Sequence, residues 1–438
     1  MAEYIHGLSY DDLPHDIVEM SKTLILHHLH TGYGGFYEQA STIARSIVRE
    51  DIQSKGKSTI LGQRTKVAAA EASFVNAVMM HSIQQEDTYL GFHPGPHTIP
   101  PAISLAEQEA KEGKDILLSI VTGYDVNLRI GKVCAPYTSP RGWRGTSTFG
   151  ILGAAATSAK IAGLDSKQTM CALANATNLS SGLMECWLSG TPEWLFTSGL
   201  AARNGAMSAL IAKRNVNSAK ASFEGERGFF KAYCGRAPEN LDEITYDLGK
   251  RFIMSKVVLK PYTLITPLQP IIYKVLKLAK HEGITLEDVK KVKVIAWPSL
   301  TSGVLGASIL DRGPYTSKVQ AFTSLPCAVG IALVFGDVSA ETIKKYTDPK
   351  VFDVARKVHV ETDASAKGYY CSVEITTKDG KRHELQGQDF PSLTRAEVKI
   401  NLMRSASKLL SRKKVNEMIK AVEKLEKISV ADLSPHLS

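Results

Sequence analysis

The chain has 438 residues, and its 44% hydrophobic and 22% charged residues are typical of a globular protein with a large buried core. No stretch approaches the roughly 18 consecutive apolar residues of a membrane-spanning helix, and the first residues do not resemble a secretion signal. The net charge of +9 comes from lysines and arginines spread along the chain, without an aromatic-studded basic motif. We therefore expect a soluble, cytoplasmic protein that binds neither nucleic acid nor membranes.

The cysteines give no sign of a metal centre. They form no Cys-x-x-Cys pair, and no histidine cluster at zinc spacing accompanies them. We interpret them as small buried side chains and expect neither a metal nor another cofactor. The six cysteines are Cys134, Cys171, Cys186, Cys234, Cys327 and Cys371.

From the start to about residue 255 the hydrophobic periodicity is helical. Three segments are rich in small residues, which favour helices and let them approach closely: Val67–Ser82, Gly150–Leu164 and Gly199–Lys213. The run His27-His28-Leu29-His30 falls on a predicted N-terminal helix. We interpret these histidines as structural or surface residues, because no carboxylate or cysteine lies nearby at ligand spacing.

The pattern changes near residue 256. Val289–Trp297 and Lys357–Thr362 are predicted strands, and Cys371–Leu385 is a predicted hairpin in which Asp379-Gly380 supplies the positive φ of a tight turn. Helices are predicted at Leu268–His281 and Lys318–Phe335.

After Pro391 the pattern returns to helix, with a capping box at Thr394–Glu397. The sequence thus predicts a mainly α protein with two domains. Residues 1–255 and 392–438 would form a helical domain, and residues 256–391 a smaller inserted α+β domain.

The segment from residue 76 to residue 107 carries most of the candidate chemistry. A predicted helix ends in carboxylates and a threonine, a loop rich in proline and glycine carries His93 and His97, and a new helix is predicted near Pro100-Pro101. Histidines and carboxylates on such a loop are natural proton-transfer groups. From the pattern alone, a solvated polar turn explains the same residues equally well.

These residues also resemble a known signature. Asp87-Thr88, His93-Pro94-Gly95, Ile99–Ala102 and Leu105–Glu107 are similar to the Asp-Asp-Thr…His-Pro-Ser/Gly…Leu-Pro-Ala…Ala-Glu pattern of the MmgE/PrpD family. Further landmarks follow in family order. They include Gly142-Trp143, Ala201–Gly205, Glu224-Gly225, Lys260-Pro261-Tyr262 and Ser324-Leu325-Pro326.

The resemblance implies a fold and a type of reaction. Members of the family include 2-methylcitrate dehydratase, cis-aconitate decarboxylase and iminodisuccinate epimerase. The implied architecture is a homodimer in which each chain has a helical domain, an inserted α+β lid and an active site in the cleft between them. The implied chemistry removes a proton from a carbon beside a carboxylate of a small di- or tricarboxylate, without a metal or cofactor.

The resemblance also implies roles for individual residues. His93 matches the loop histidine of the family, a general base or acid, and Asp87 matches a signature carboxylate. Lys260 matches a cationic residue that could anchor a carboxylate or protonate a leaving group. The expected catalytic residues are therefore His93, Lys260 and Asp87. The expected substrate-binding residues are Thr88, Arg144, Gln84, Tyr262, Trp194, Gln269 and His97.

Four of these positions depart from the family pattern. The family often has Asp at position 84, His at 144, Lys at 194 and His at 269, where this chain has Gln84, Arg144, Trp194 and Gln269. Arg144 remains a cation whose planar fork can hold a carboxylate at two points. Trp194 would add an apolar wall, so we expect a substrate that differs in size or in number of carboxylates from the tricarboxylates.

Three functions remain open at this point. The first is a hydro-lyase that dehydrates a citrate- or methylcitrate-like acid, or a related decarboxylase of the cis-aconitate type. The second is an isomerase or epimerase that uses the same proton abstraction without elimination. The third is a homologue that binds a carboxylate without catalysis.

Overall fold

The computed structural model describes residues 1–438, and 59% of them are helical. The predicted mainly α fold class is confirmed. The helices are α1 (Ala2–Gly7), α2 (His15–Gly34), α3 (Gln39–Ser46), α4 (Ala69–His81), α5 (Gly95–Glu109), α6 (Gly113–Thr138), α7 (Gly145–Ile161), α8 (Ser166–Asn178), α9 (Glu185–Ser189), α10 (Trp194–Ala212), α11 (Phe229–Cys234), α12 (Gln269–Glu282), α13 (Ser299–Ser302), α14 (Gly306–Leu310), α15 (Lys318–Thr323), α16 (Leu325–Phe335), α17 (Pro349–Ala355), α18 (Arg395–Ala406), α19 (Arg412–Glu423) and α20 (Val430–Leu433).

The chain forms two compact units. The helical unit comprises Met1–Leu183, Glu193–Val258 and Thr394–Ser438, and the α+β unit comprises Met184–Pro192 and Leu259–Leu393. The two main divisions between the units fall after Val258 and after Leu393. Residues 184–192, which carry α9, belong to the α+β unit although the sequence pattern grouped them with the helices around them.

Helices rich in small residues form the interior of the helical unit. All residues of α4 are buried. Helix α10 packs against α4, α5, α7 and α8, and α7 also packs against α5 and α8. Glycine and alanine allow this because a helix without bulky side chains can approach its neighbours on several sides. Helices α6 and α7 approach closely at Gly123, where a Cβ would lie 1.9 Å from Thr157 Oγ1 and 3.0 Å from the carbonyl oxygen of Gly153.

The C-terminal helices complete the helical unit. The predicted capping box at Thr394 is confirmed: the Thr394 N–H donates to Glu397 Oε2 at 2.7 Å, and the Glu397 N–H donates to Thr394 Oγ1 at 3.3 Å. Such a cap fixes the start of α18, which packs along α2. Residues from both ends of the chain therefore share one core.

The α+β unit is built on one four-stranded sheet. Its strand order is β6-β5-β7-β8, with β5 parallel to β6 and antiparallel to β7. The predicted hairpin is confirmed, although only Gly380 in its turn has a positive φ, at 88°. Helix α12 packs on β7 and β8. The strands of the chain are β1 (Ser58–Thr59), β2 (Lys66–Val67), β3 (Asp87–Thr88), β4 (Val258–Leu259), β5 (Val289–Ala296), β6 (Val358–Thr362), β7 (Cys371–Thr377) and β8 (Arg382–Gly387).

Two predicted helices have other limits than expected. The predicted helix at 318–335 is two helices, because the Ser324 side chain accepts from the N–H of Cys327 and starts α16 anew. Helix α5 begins at Gly95, so the prediction of a start near Pro100-Pro101 was wrong. Both prolines lie inside α5, where each lacks the N–H that would donate to the carbonyl oxygen four residues earlier. His97 is consequently a helical residue.

All six cysteines are buried, as predicted. None of the helices combines the length and the apolar character that crossing a bilayer requires.

The α6–α7 contact provides a test of the close packing. Gly123→Ala should lower stability by about 1–3 kcal/mol, because the new methyl group has no space beside Thr157 and the α7 backbone. Thermal unfolding followed by circular dichroism measures the change. The control is Gly7→Ala, since a Cβ there would meet nothing within 4 Å. Equal melting temperatures for the two variants would contradict the packing described here.

Candidate active site

The segment between α4 and α5 folds back on itself through two left-handed turns. Gln84 has φ 53° and reverses the chain three residues after α4 ends. Leu90 and Gly91 have φ 51° and 84°, and Tyr89 and Phe92 exchange both backbone hydrogen bonds, at 3.0 and 2.9 Å. Two positive φ values in a two-residue loop are those of a type I′ turn. The turn brings His93 back alongside Asp87.

The backbone of Asp87 and the carboxylate of Glu86 lie against the His93 ring. Its Nδ1 lies 2.6 Å from the carbonyl oxygen of Asp87 and 3.2 Å from Glu86 Oε1. A carbonyl oxygen only accepts hydrogen bonds, so Nδ1 carries the proton. The lone pair of the neutral ring is then on Nε2, which is the arrangement that a general base requires.

His81, the last residue of α4, stands beside His93 with its ring centre 5.5 Å away. Its Nε2 lies 2.7 Å from Arg144 Nη2, and its Nδ1 lies 3.4 Å from Glu86 Oε2. Because a guanidinium only donates, Nε2 of His81 accepts and its Nδ1 carries the hydrogen that faces Glu86. The Glu86 carboxylate is thus close to the Nδ1 atoms of two imidazoles.

Arg144 is a buried cation at the start of α7. Its Nη1 donates to Ser147 Oγ at 2.9 Å and to Ser198 Oγ at 3.0 Å. The indole of Trp194 lies against it, with Cζ 5.2 Å from the ring centre, and also packs edge-on against His81. These contacts are to hydroxyls, an imidazole and an aromatic ring.

Asp87 is completely buried and accepts hydrogen bonds from a backbone N–H and a phenol, with an imidazole close by. The Gly95 N–H donates to Oδ1 at 3.2 Å, His28 Nε2 lies 3.2 Å from the same oxygen, and the Tyr124 hydroxyl donates to Oδ2 at 2.7 Å. Burial, together with the nearby Asp87 carboxylate, raises the pKa of Tyr124 well above its usual value. Gly95 is required here, because a Cβ would lie 2.0 Å from His28 Nε2.

His97 lies in the first turn of α5 and is completely buried. Its Nδ1 is 3.0 Å from the carbonyl oxygen of His93, so this nitrogen donates and Nε2 is unprotonated. Burial, with a smaller contribution from His81, lowers the pKa of His97 to about 3. The ring is therefore neutral at physiological pH.

The three other predicted site residues, Lys260, Tyr262 and Gln269, belong to the α+β unit. Lys260 is fully buried, and its Nζ donates to the carbonyl oxygen of Leu264 at 3.2 Å. The Gln269 side chain accepts from the Tyr262 N–H at 3.2 Å and donates to the Tyr262 carbonyl oxygen at 2.9 Å. Gln269 thereby closes the turn that follows Lys260.

Within the helical unit, the structure brings His93, Arg144, Trp194 and His97 together around His81. Thr88 and Gln84 are buried in the same folded-back segment as Asp87. No group of three or more His, Cys, Asp or Glu side chains has a geometry suited to a metal ion. The arrangement can move a proton at His93 and can hold a negative charge near Arg144.

Models of known protein families match most of the chain. Residues 1–241 match the MmgE/PrpD N-terminal domain, and residues 264–427 match the MmgE/PrpD C-terminal domain. The chain belongs to the MmgE/PrpD family.

Similar family members include enzymes named for cis-aconitate. Human cis-aconitate decarboxylase is 25% identical across 97% of this chain and 91% of its own length. The mouse enzyme is 24% identical over 97% of this chain and 90% of its own length. Cis-aconitate decarboxylase-like protein oryM of Aspergillus oryzae is 26% identical, but the match spans 59% of this chain and 57% of that protein.

Four side chains of this MmgE/PrpD site were not predicted: His81, Glu86, His28 and Tyr124. Glu86 is adjacent to the predicted Asp87, and His81 lies at the end of a predicted helix. Both could therefore have been found from their positions in the sequence. His28 belongs to the histidine run interpreted as structural or surface. Nothing in its local sequence indicates that it meets Asp87, which is 59 residues away.

The buried His97 gives a prediction for acid stability. Its folded-state pKa of about 3 lies below the unfolded value near 6.5, so the unfolded chain binds more protons between these pH values. The stabilisation by neutral His97 is complete above about pH 6.5 and is lost as the pH falls toward 3, on the order of 4 kcal/mol in all. His97→Asn keeps the donor to His93 and does not titrate.

Stability of His97→Asn should therefore fall less steeply than that of the wild type between pH 6.5 and 4. Urea unfolding at a series of pH values measures this. The matched control is His281→Asn, because the His281 side chain is 80% exposed. Parallel pH dependences for His97→Asn and the wild type would show that the wild-type imidazole does not resist protonation.

Proposed function

We propose that this protein is a lyase of the MmgE/PrpD type that acts on a small di- or tricarboxylate. The reaction would pass through a carbanion beside a carboxylate, with proton transfer by His93. The observation that carries the proposal is the contact of His93 Nδ1 with the carbonyl oxygen of Asp87, at 2.6 Å. It leaves the lone pair on Nε2, the nitrogen that can exchange a proton with substrate.

Arg144 supports a carboxylate as the bound group. It places a buried positive charge in the same cluster as His93, with the Trp194 indole beside it. A guanidinium binds the two oxygens of a carboxylate in parallel, and burial strengthens that attraction. We propose that Lys260, buried in the α+β unit, acts on a second carboxylate or on the leaving group.

We propose a positioning role for Asp87. Its two carboxylate oxygens are held by Gly95, His28 and Tyr124, as described above. A carboxylate with three such contacts is poorly suited to taking a proton from substrate. It is well suited to fixing the backbone that carries His93.

Two leaving groups fit this chemistry. In a dehydration, His93 takes a proton from carbon, the electron pair forms a double bond, and the hydroxyl group leaves as water after Lys260 donates a proton to it. In a decarboxylation, CO2 leaves first, and the carbanion then receives a proton. The names of the human, mouse and Aspergillus relatives favour decarboxylation, so cis-aconitate is the first substrate to test.

The first test uses purified protein with cis-aconitate, citrate and 2-methylcitrate. Evolved CO2 and the absorbance of the conjugated double bond separate decarboxylation from dehydration. His93→Asn should lower kcat by about 10²–10⁴-fold, because asparagine can keep the donor to Asp87 but has no Nε2 base. His383→Asn, on strand β8, is the control.

Turnover of none of these acids by the wild type would remove the main support for a lyase of this substrate class. Turnover by His93→Asn at the wild-type rate would leave lyase activity standing but assign the proton transfer to another group.

A second test concerns Arg144. Arg144→Lys should raise KM roughly 10- to 150-fold, which corresponds to about 1.5–3 kcal/mol for a charge-assisted hydrogen bond. Lysine keeps the charge but cannot grip two carboxylate oxygens, nor reach Ser147, Ser198 and His81 together. The control is Arg356→Lys, whose wild-type side chain is 75% exposed. An unchanged KM would place the substrate carboxylate elsewhere.

A further inference from the structure

We propose that Glu86 is a positioning residue that orients His93 and stabilises its protonated form during turnover. The inference rests on the proposed proton transfer by His93 and assigns to that transfer a carboxylate that was not among the predicted site residues. Glu86 would act through His93, and it need not touch the substrate.

The position of Glu86 is the first observation. Its side chain is fully buried, with Oε1 3.2 Å from His93 Nδ1 and Oε2 3.4 Å from His81 Nδ1. Both distances allow ion pairing whenever one of the rings is protonated. Two imidazoles thus share one carboxylate.

The contacts of His81 decide which ring receives the proton. Arg144 donates to His81 Nε2, so protonation of His81 would break that contact and place two cations side by side. His93 has its Nδ1–H on the Asp87 carbonyl and takes a proton on Nε2 without losing it. The imidazolium should therefore form on His93, with Glu86 as its counterion.

The other charged or titratable groups around Glu86 in the helical unit support this assignment. His27 and His97 both lie within electrostatic range of Glu86 and are fully buried. Burial lowers the pKa of both rings, so they stay neutral. Arg144 contributes its positive charge on the far side of His81.

The chemical consequence is a more basic His93. A carboxylate within about 4 Å of an imidazole stabilises the charged ring, and it also fixes the ring plane. The relation is that of the carboxylate behind a general-base histidine in hydrolases, where the acid group orients the ring and stays ionised.

Glu86→Gln removes the charge while keeping the size. With the acid that the wild type turns over, kcat should fall roughly 10- to 100-fold, whereas KM should change little. If His93 acts as the base, the acid limb of the pH profile of kcat/KM should move to lower pH. Glu86→Asp should restore part of the loss, because it returns the carboxylate.

The matched control is Glu71→Gln. Glu71 is on the same helix as His81, is also largely buried and pairs with Arg203 at 2.8 Å, outside the His93 cluster. If Glu71→Gln lowered kcat to the same extent, Glu86 would contribute only to the stability of the fold. An unchanged pH profile in Glu86→Gln would likewise overturn the proposal.

A measurement without substrate separates this inference from the proposed function. In protein labelled with ¹⁵N-histidine, the His93 signals can be assigned with His93→Asn, and their titration followed by NMR. Glu86→Gln should lower the titration midpoint of His93 by about 1–3 pH units. A shift in a protein that turns over none of the acids would uphold the His93–Glu86 pairing and reject the lyase. An unshifted midpoint would reject the pairing itself.

Discussion

The geometry of the candidate site depends on the hydrogen bonding of the Asp87 carboxylate. This buried charge is accommodated because a backbone N–H, an imidazole and a phenol surround it. These three groups come from the start of α5, from α2 and from α6. One side chain thereby ties three helices to the folded-back segment and fixes the carbonyl oxygen to which His93 donates.

The sequence predicted much of the fold because most elements have a local cause. Small residues at close spacing predicted the buried helices α4, α7 and α10, and Asp379-Gly380 predicted the hairpin of the α+β unit. The two helix limits that were predicted wrongly also have local causes, a serine cap in one case and a pair of prolines in the other. Prolines 100 and 101 usually mark the start of a helix, yet here they lie in the second turn, because the chain already turns at Pro94.

The site was harder to predict because its contacts cross the fold. The signature around Asp87 and His93 indicated the segment that carries the candidate chemistry, and the resemblance added Arg144 and Trp194. The partnership of His81 with Arg144 joins residues 63 positions apart, and His28 meets Asp87 across a similar distance. No spacing rule connects such pairs. Glu86 differs from His28 and His81, because it is adjacent to the signature residue Asp87. Only the direction of its side chain, which depends on the left-handed backbone at Gln84, could not be predicted.

The division of the helical unit along the chain has a consequence for biosynthesis. Helix α18 packs on α2, and Ser405 on α18 lies 3.1 Å from His30, whose other ring nitrogen is 3.3 Å from Gln85 in the folded-back segment. On the ribosome, the first 258 residues emerge long before Thr394–Ser438, with the α+β unit between them. The nascent helical unit must therefore wait, with one flank of α2 uncovered, until the whole α+β unit and α18 have been synthesised. The surroundings of His30 are completed only after that point.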